Sequence, residues 1–216
     1  MPAWAQKKVI KKNLPAHDLK PMHYGFYLAG NVSRYTLEHS PEYIQKQAFT
    51  AINPKFGPGF TIGFVLNKRL TDFIDARLLP GVGFYSRPIE FINGAGDSTG
   101  IQEMGATAIE IPLLFKFKSL RRGNVRMYFL GGVKASVDVG NKKKANESTG
   151  LVVSSEDFAI EYGVGLDLFY PFFKFAPELR FSHGLNDRYS PGSNPYSRNV
   201  QGLRSHSVTL YLNFEN

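Results

Sequence analysis

The chain has 216 residues, 43% apolar and 20% charged, with a formal net charge of +8; that suffices for one domain with a sizeable core. It holds no cysteine, which excludes disulfides and thiolate metal sites, and no run near the ~18 apolar residues of a membrane helix. The basic excess fits solvated turns and tails, or attraction to acidic lipid headgroups or an acidic partner. It does not fit nucleic acid, because the basic residues do not alternate with aromatics on one face. Glycine is frequent, at 21, and 18 Phe and 11 Tyr stand against a single Trp. Such chains favour all-β folds. A mean hydropathy of −0.23 is compatible with a membrane barrel, in which only alternate residues of each strand meet lipid.

At the start, Ala3-Trp4-Ala5-Gln6 has the small-x-small pattern of a signal-peptidase site, and Met1–Ala5 reads as the remnant of a signal peptide. Residues 1–21 are therefore expected to be that remnant and a basic N-terminal segment. Its run Lys7-Lys8-Val9-Ile10-Lys11-Lys12 is either a solubilising tail or a periplasmic tether for an acidic partner.

From Met22 to the end the chain alternates with period two between turn signals. Eight strands are predicted, at 23–37, 57–67, 72–86, 104–118, 125–139, 156–169, 172–186 and 204–214. In the fourth, Ile109, Ile111, Leu113, Phe115 and Phe117 oppose Glu110, Lys116 and Lys118. In the fifth, Val125, Met127, Phe129, Val133 and Val137 oppose Arg126, Tyr128, Lys134 and Asp138. The last sets Val208, Leu210, Leu212 and Phe214 against Ser207, Thr209, Tyr211 and Asn213. Most exceed the ~9–11 residues that a tilted strand needs to cross the hydrocarbon layer.

The connections alternate in length. Short ones lie at Asn67–Leu70, Leu120–Asn124 and Tyr170-Pro171; long polar ones lie at His39–Phe56, Arg87–Glu103, Gly140–Ser155 and Asp187–Leu203. Outer-membrane barrels have short periplasmic turns and longer outer loops, which places both termini on the periplasmic side. Residues 22–216 are thus expected to form an all-β, eight-stranded antiparallel up-and-down transmembrane barrel.

Which face points inward follows from three features. The polar face carries Gly25, Gly59, Gly63, Gly81, Gly83, Gly163 and Gly165, small residues suited to the cramped inside of a small barrel. The apolar face is almost free of charge at mid-strand, where Arg or Lys facing lipid costs ~2–4 kcal/mol. The polar residues can also pair. With a turn at Tyr170-Pro171, Phe169 faces Phe172, Asp167 faces Lys174 and Glu161 faces Arg180. Buried charges persist when paired. The interior is then a packed polar plug, and function belongs to loops, turns or the lipid-facing wall.

The best catalytic candidate is Arg180-Phe181-Ser182-His183-Gly184-Leu185-Asn186. It resembles the Arg-Phe-x-His-x-Ser-Asn run of outer-membrane lipid A deacylases, barrels with a Ser/His/Glu site on the lipid-facing wall. The nucleophile's position, two residues after the His, is Leu185 here, and Ser182 points to the opposite face. No catalytic, cofactor-binding or metal-binding residue is therefore expected; His17, His23, His39, His183 and His206 lack zinc-ligand spacing. Gly81-Val82-Gly83 is strand glycine, not a phosphate loop.

Several runs, in order, resemble the PorT family of outer-membrane barrels of the type IX secretion and gliding apparatus. They are Asp18–Phe26, Arg77–Phe84, Ile109–Lys116, Asn124–Gly132, Glu178–Ser182 and the closing Leu210–Glu215, and the likeness spans residues 18–216. The chain departs from the commonest outer-membrane ending in placing Phe214 two residues before its end. The resemblance implies a non-enzymatic accessory or assembly component of protein secretion, in the outer membrane of a Gram-negative-type bacterium. Its partners would be outer-membrane lipids and other secretion-machine proteins, either an outer-membrane translocon or periplasmic ring components. Lys7, Lys8, Lys11, Lys12, Arg121 and Arg122 are the candidate periplasmic contacts. The competing readings are a stand-alone structural or adhesin-like barrel, a lipid A-modifying enzyme, and a soluble ligand-binding barrel.

Overall fold

A computed structural model describes residues 12–39, 51–92, 98–139, 152–190 and 200–216. A 3-10 turn at His17–Leu19 precedes twelve strands: β1 Met22–His39, β2 Ala51–Pro54, β3 Gly57–Arg69, β4 Ile74–Leu78, β5 Gly81–Ile92, β6 Ser98–Lys118, β7 Val125–Asp138, β8 Val152–Val153, β9 Glu156–Phe169, β10 Lys174–Gly184, β11 Tyr189–Ser190 and β12 Val200–Glu215. Ten of them form one antiparallel sheet, while β8 and β11 pair with each other.

Two interruptions hide an eightfold plan. β4 and β5 keep one register against both β3 and β6 across Leu79-Pro80. Pro80 has no N–H for the ladder, but its carbonyl accepts from the Phe64 N–H at 2.9 Å. β2 and β3 both pair with β5, offset by one residue around Lys55-Phe56. The ten strands thus make eight staves, and β1 closes the ring by pairing with both β12 and β3. Among the described residues closure gives each of the eight staves a paired neighbour on both sides, which is the condition for a sheet to cross hydrocarbon.

The two faces are inverted relative to a soluble barrel. Outward side chains are apolar and exposed: Phe26, Leu28, Phe60, Phe64, Ile111, Phe115, Phe129, Val164 and Leu210 are among them. Inward ones are buried and largely polar, with Arg77, Lys116, Lys174 and Arg180 at 1% exposure or less. The inner glycines make room for tyrosines. A Cβ at Gly81 or Gly63 would enter the space of the Tyr27 side chain, and one at Gly165 that of the Tyr128 ring.

The eight staves coincide with the predicted strands, but their ends differ. β5 runs on to Ile92, β6 starts at Ser98 and β12 at Val200, so much of the expected loop Arg87–Glu103 is hairpin. The predicted loops His39–Phe56, Gly140–Ser155 and Asp187–Leu203 likewise contain β2, β8 and β11. Beyond the membrane both faces are wet; alternation fades from the sequence while the hydrogen-bonded ladder continues.

The β9–β10 hairpin differs in register. Lys174 pairs with Phe169, leaving residues 170–173 as the turn, and Arg180 faces Gly163. The expected pairing of Phe169 with Phe172 is therefore shifted by two residues. The favoured two-residue hairpin turns need positive φ at the first central position, which Tyr170, a bulky residue ahead of a proline, does not adopt. The shift is even, so every side chain keeps its face.

Candidate functional site

Two features could carry function: the charged interior with the strap that closes one end, and the polar row on the outer wall. The interior is a chain of shared carboxylates. Glu178 on β10 accepts from Arg77 on β4, from Arg180 Nε at 2.8 Å and from the Tyr128 hydroxyl at 2.6 Å. Glu215 on β12 accepts from Arg77 at 2.5 Å and Lys174 at 2.8 Å. Asp167 on β9 accepts from Lys116 at 2.7 Å and Arg126 at 3.0 Å. Towards the loops, Lys134 sits 3.3 Å from Glu110 and 3.1 Å from Glu161, and Arg188 pairs with Asp138 and Asp157.

The four interior residues singled out from sequence all point inward. Asp167 lies 3.8 Å from Lys174, and Glu161 lies 3.8 Å from Arg180. Because of the register shift these are diagonal, longer contacts. The nearer partners are Glu215 for Lys174, Glu178 for Arg180, Lys116 and Arg126 for Asp167, and Lys134 for Glu161. Arg77 is the junction that sequence reading missed, although its odd-numbered place beside Asp75, with Leu78 and Ile74 on the other face, marks it as inward.

The short-turn end is crossed by the segment preceding β1. Asp18 binds Arg126 Nη1 at 2.8 Å and Arg121 Nη1 at 3.4 Å. Its backbone carbonyl accepts from Arg69 at 2.7 Å. Asn13 bonds Asn124 through its N–H at 2.8 Å and the Phe169 carbonyl through its side chain at 2.9 Å. His17 is buried, stacked on His23 at 3.9 Å and edge-on to Phe169 at 5.5 Å. Burial, then the Lys174 charge and His23, lowers the His17 pKa to about 3. For Asp18 burial raises the pKa, but Arg126 and Arg121 outweigh it and hold the carboxyl below its ordinary value.

This strap redefines one candidate contact. Arg121 turns onto the strap and the Phe169 ring, 3.6 Å from the ring centre, with its side chain 6% exposed. It is a clasp and not a free surface cation. Arg122 and Lys12 are exposed; Lys7, Lys8 and Lys11 lie outside the described residues, as does the proposed signal-peptide remnant.

On the wall, His183 points outward and Ser182 is buried inside. The two ring nitrogens of His183 face His206 Nδ1 at 2.9 Å and the Tyr162 hydroxyl at 3.0 Å. Leu185 is exposed. No serine reaches this imidazole among the described residues, and no group of three His, Cys, Asp or Glu there is arranged to hold a metal ion.

A closed antiparallel sheet with an apolar outer wall and an ion-paired core is a transmembrane β-barrel. The sequence profile of the outer-membrane protein β-barrel domain family matches residues 4–190, and the chain belongs to that family of outer-membrane proteins. No curated protein matches the sequence. Among solved structures, the outer-membrane protein OprG from Pseudomonas aeruginosa is similar over 90% of this chain and 93% of its own, at 9% identity and a TM-score of 0.52. The outer-membrane enzyme PagL is similar over 86% and 97%, at 13% identity and 0.41. Ail, the attachment invasion locus protein of Yersinia pestis, is similar over 91% and 100%, at 11% and 0.40.

Proposed function

We propose that this outer-membrane barrel is a non-enzymatic accessory or assembly component of type IX protein secretion and gliding, and that it acts through its surfaces. The carrying observation is the filled interior. Arg77, Glu178, Glu215, Lys174 and Asp167 interlock across the lumen, and the strap around Asp18 covers its short-turn end. A lumen of this kind passes no polypeptide. The ordered runs across residues 18–216 that resemble the PorT family support the secretion role. The ring nitrogens of His183 face Tyr162 and His206, and no serine among the described residues bonds to it, which supports a role without catalysis.

In this reading the short-turn end faces the periplasm. It presents exposed Lys12, Lys20, Lys68 and Arg122 beside exposed Leu19, Leu120 and Phe172, a surface suited to an acidic partner with apolar patches. The test is co-purification from native membranes in mild detergent, with bound proteins identified by mass spectrometry. Recovery of a large translocon barrel or of periplasmic ring proteins, lost on Lys12→Glu/Arg122→Glu, is the expected result. Recovery of the barrel alone overturns the secretion role and leaves the fold untouched.

A further inference from the structure

The outer wall carries a polar row that the packing of the barrel does not use. Arg34 on β1 stands directly opposite His206 on β12, and His206 stands directly opposite His183 on β10. The row therefore sets one guanidinium beside two imidazoles across neighbouring strands. Among the described residues no carboxylate is within ion-pair distance of Arg34, whose guanidinium rests over the Phe56 ring at 4.8 Å. The row also has a fixed height. Below it the wall is apolar on all three strands, through Val32, Val208 and Leu179. Above it stands the exposed pair Arg204–Glu38. The row therefore marks the edge of the apolar band, where lipid phosphates lie.

The hydrogen bonds define which donors are offered. A single proton lies between the facing Nδ1 atoms of His183 and His206. When the Tyr162 hydroxyl donates to His183 Nε2, His183 donates from Nδ1 and His206 keeps an N–H at Nε2. That N–H and the Arg34 guanidinium are then neighbouring donors for one anion.

Lower on the same wall lies an open apolar groove of about 430 Å³, bordered by Met127, Phe129, Val164, Leu166, Leu179 and Leu210. It opens at Pro177, where the β9–β10 ladder is interrupted between Phe175 and Glu178. Leu179 and Leu210 each stand four residues below the histidines of their own strands, roughly 13 Å along the strand. An acyl chain whose headgroup sits at the row reaches the groove.

We propose that this wall holds one phosphorylated membrane lipid, with its phosphate on Arg34 and His206 and an acyl chain in the groove. The inference rests on the membrane-spanning fold and not on the secretion role. Arg34 supplies a charged fork suited to phosphate, and the groove supplies the apolar contact that free phosphate cannot use.

Native mass spectrometry of the detergent-purified protein tests it, with dioleoylphosphatidic acid as the probe. Dioleoylglycerol, with the same tails and no phosphate, and inorganic phosphate are the comparisons. The expected result is one phosphatidic acid per chain, held at least about tenfold more tightly than dioleoylglycerol and not displaced by inorganic phosphate. Arg34→Gln/His206→Ala removes that preference, Arg34→Lys keeps part of it, and Leu179→Trp weakens both lipids. These side chains point away from the interior, so a heat-modifiable gel shift like that of the wild type checks that each variant is folded. Equal retention of the two lipids, or an Arg34→Gln/His206→Ala variant that retains phosphatidic acid like the wild type, overturns the proposal. Displacement by inorganic phosphate overturns the lipid and leaves a free-anion site.

Discussion

Asp167→Asn tests whether the interior charges hold the barrel by pairing. Asp167 accepts from Lys116 at 2.7 Å and Arg126 at 3.0 Å, with Lys174 at 3.8 Å, and the carboxylate is fully buried. Its loss does not affect the three cations equally. Arg126 keeps Asp18 at 2.8 Å and Lys174 keeps Glu215 at 2.8 Å. Lys116 loses the one carboxylate paired with it among the described residues and keeps only the Tyr128 ring, 3.6 Å away. Leaving a buried charge unmatched costs about 3–5 kcal/mol, so Asp167→Asn is expected to destabilise by that amount.

Removing the stranded cation as well separates pairing from mere loss of contact. Lys116→Met alone leaves Asp167 with Arg126 and Lys174 and is expected to cost about 1–2 kcal/mol. The double variant should be more stable than Asp167→Asn, with a coupling of about 2–3 kcal/mol. The assay is equilibrium urea unfolding in lipid vesicles, followed by heat-modifiable gel mobility. An Asp167→Asn variant within about 1 kcal/mol of wild type, or a double variant no better than it, refutes a paired interior.

Three further outcomes are expected. Docking of the strap weakens on acidification: a released His17 takes up its proton near pH 6.5, the docked one only near 3, so stability is lost as pH falls through that window. At pH 5 the loss is about 2 kcal/mol, or roughly thirtyfold in the released fraction; Asp18 adds its own loss only below its ordinary 3.8. A spin label at Leu19→Cys should gain mobility between pH 6.5 and 4 and His17→Phe should flatten the change, whereas mobility constant down to pH 4 would count against the clasp. Gly165→Val intrudes on the Tyr128 ring and should cost about 1–3 kcal/mol by urea unfolding, while Gly30→Val, with nothing within 4 Å, should be near neutral. Ile111→Arg, on the lipid face of β6, should cost about 2–4 kcal/mol by the same measurement.

Period-two alternation was enough to count the staves and assign their faces, because a residue's face depends only on odd or even place. Which of Asp167's neighbours binds it depends on barrel curvature and on the offset between staves. That is why the sequence led to Lys174, while Lys116 from β6 and Arg126 from β7 are nearer. The missed turn at Tyr170-Pro171 was legible in principle, since the favoured two-residue turns need positive φ at their first residue, which is the bulky Tyr170 and not a glycine. The strap was not. His17-Asp18-Leu19 has no period to mark it, and its partners Arg69, Arg121 and Arg126 come from two distant places in the chain, the end of β3 and the β6–β7 hairpin.

The charge balance separates what the interior does from what the surface can do. Among the described residues, nine buried Lys and Arg stand against eight buried Asp and Glu, so the described lumen is nearly neutral and its charges answer one another. All but one unit of the formal +8 then belongs to the rest of the chain. Exposed Lys12, Lys20, Lys68 and Arg122 place part of it at the short-turn end, and Arg34 places part on the outer wall. A matched interior needs no outside anion; an unmatched exterior attracts one. The two surfaces at which this barrel is proposed to meet an acidic protein and an acidic lipid are therefore surfaces where its own fold leaves positive charge in excess.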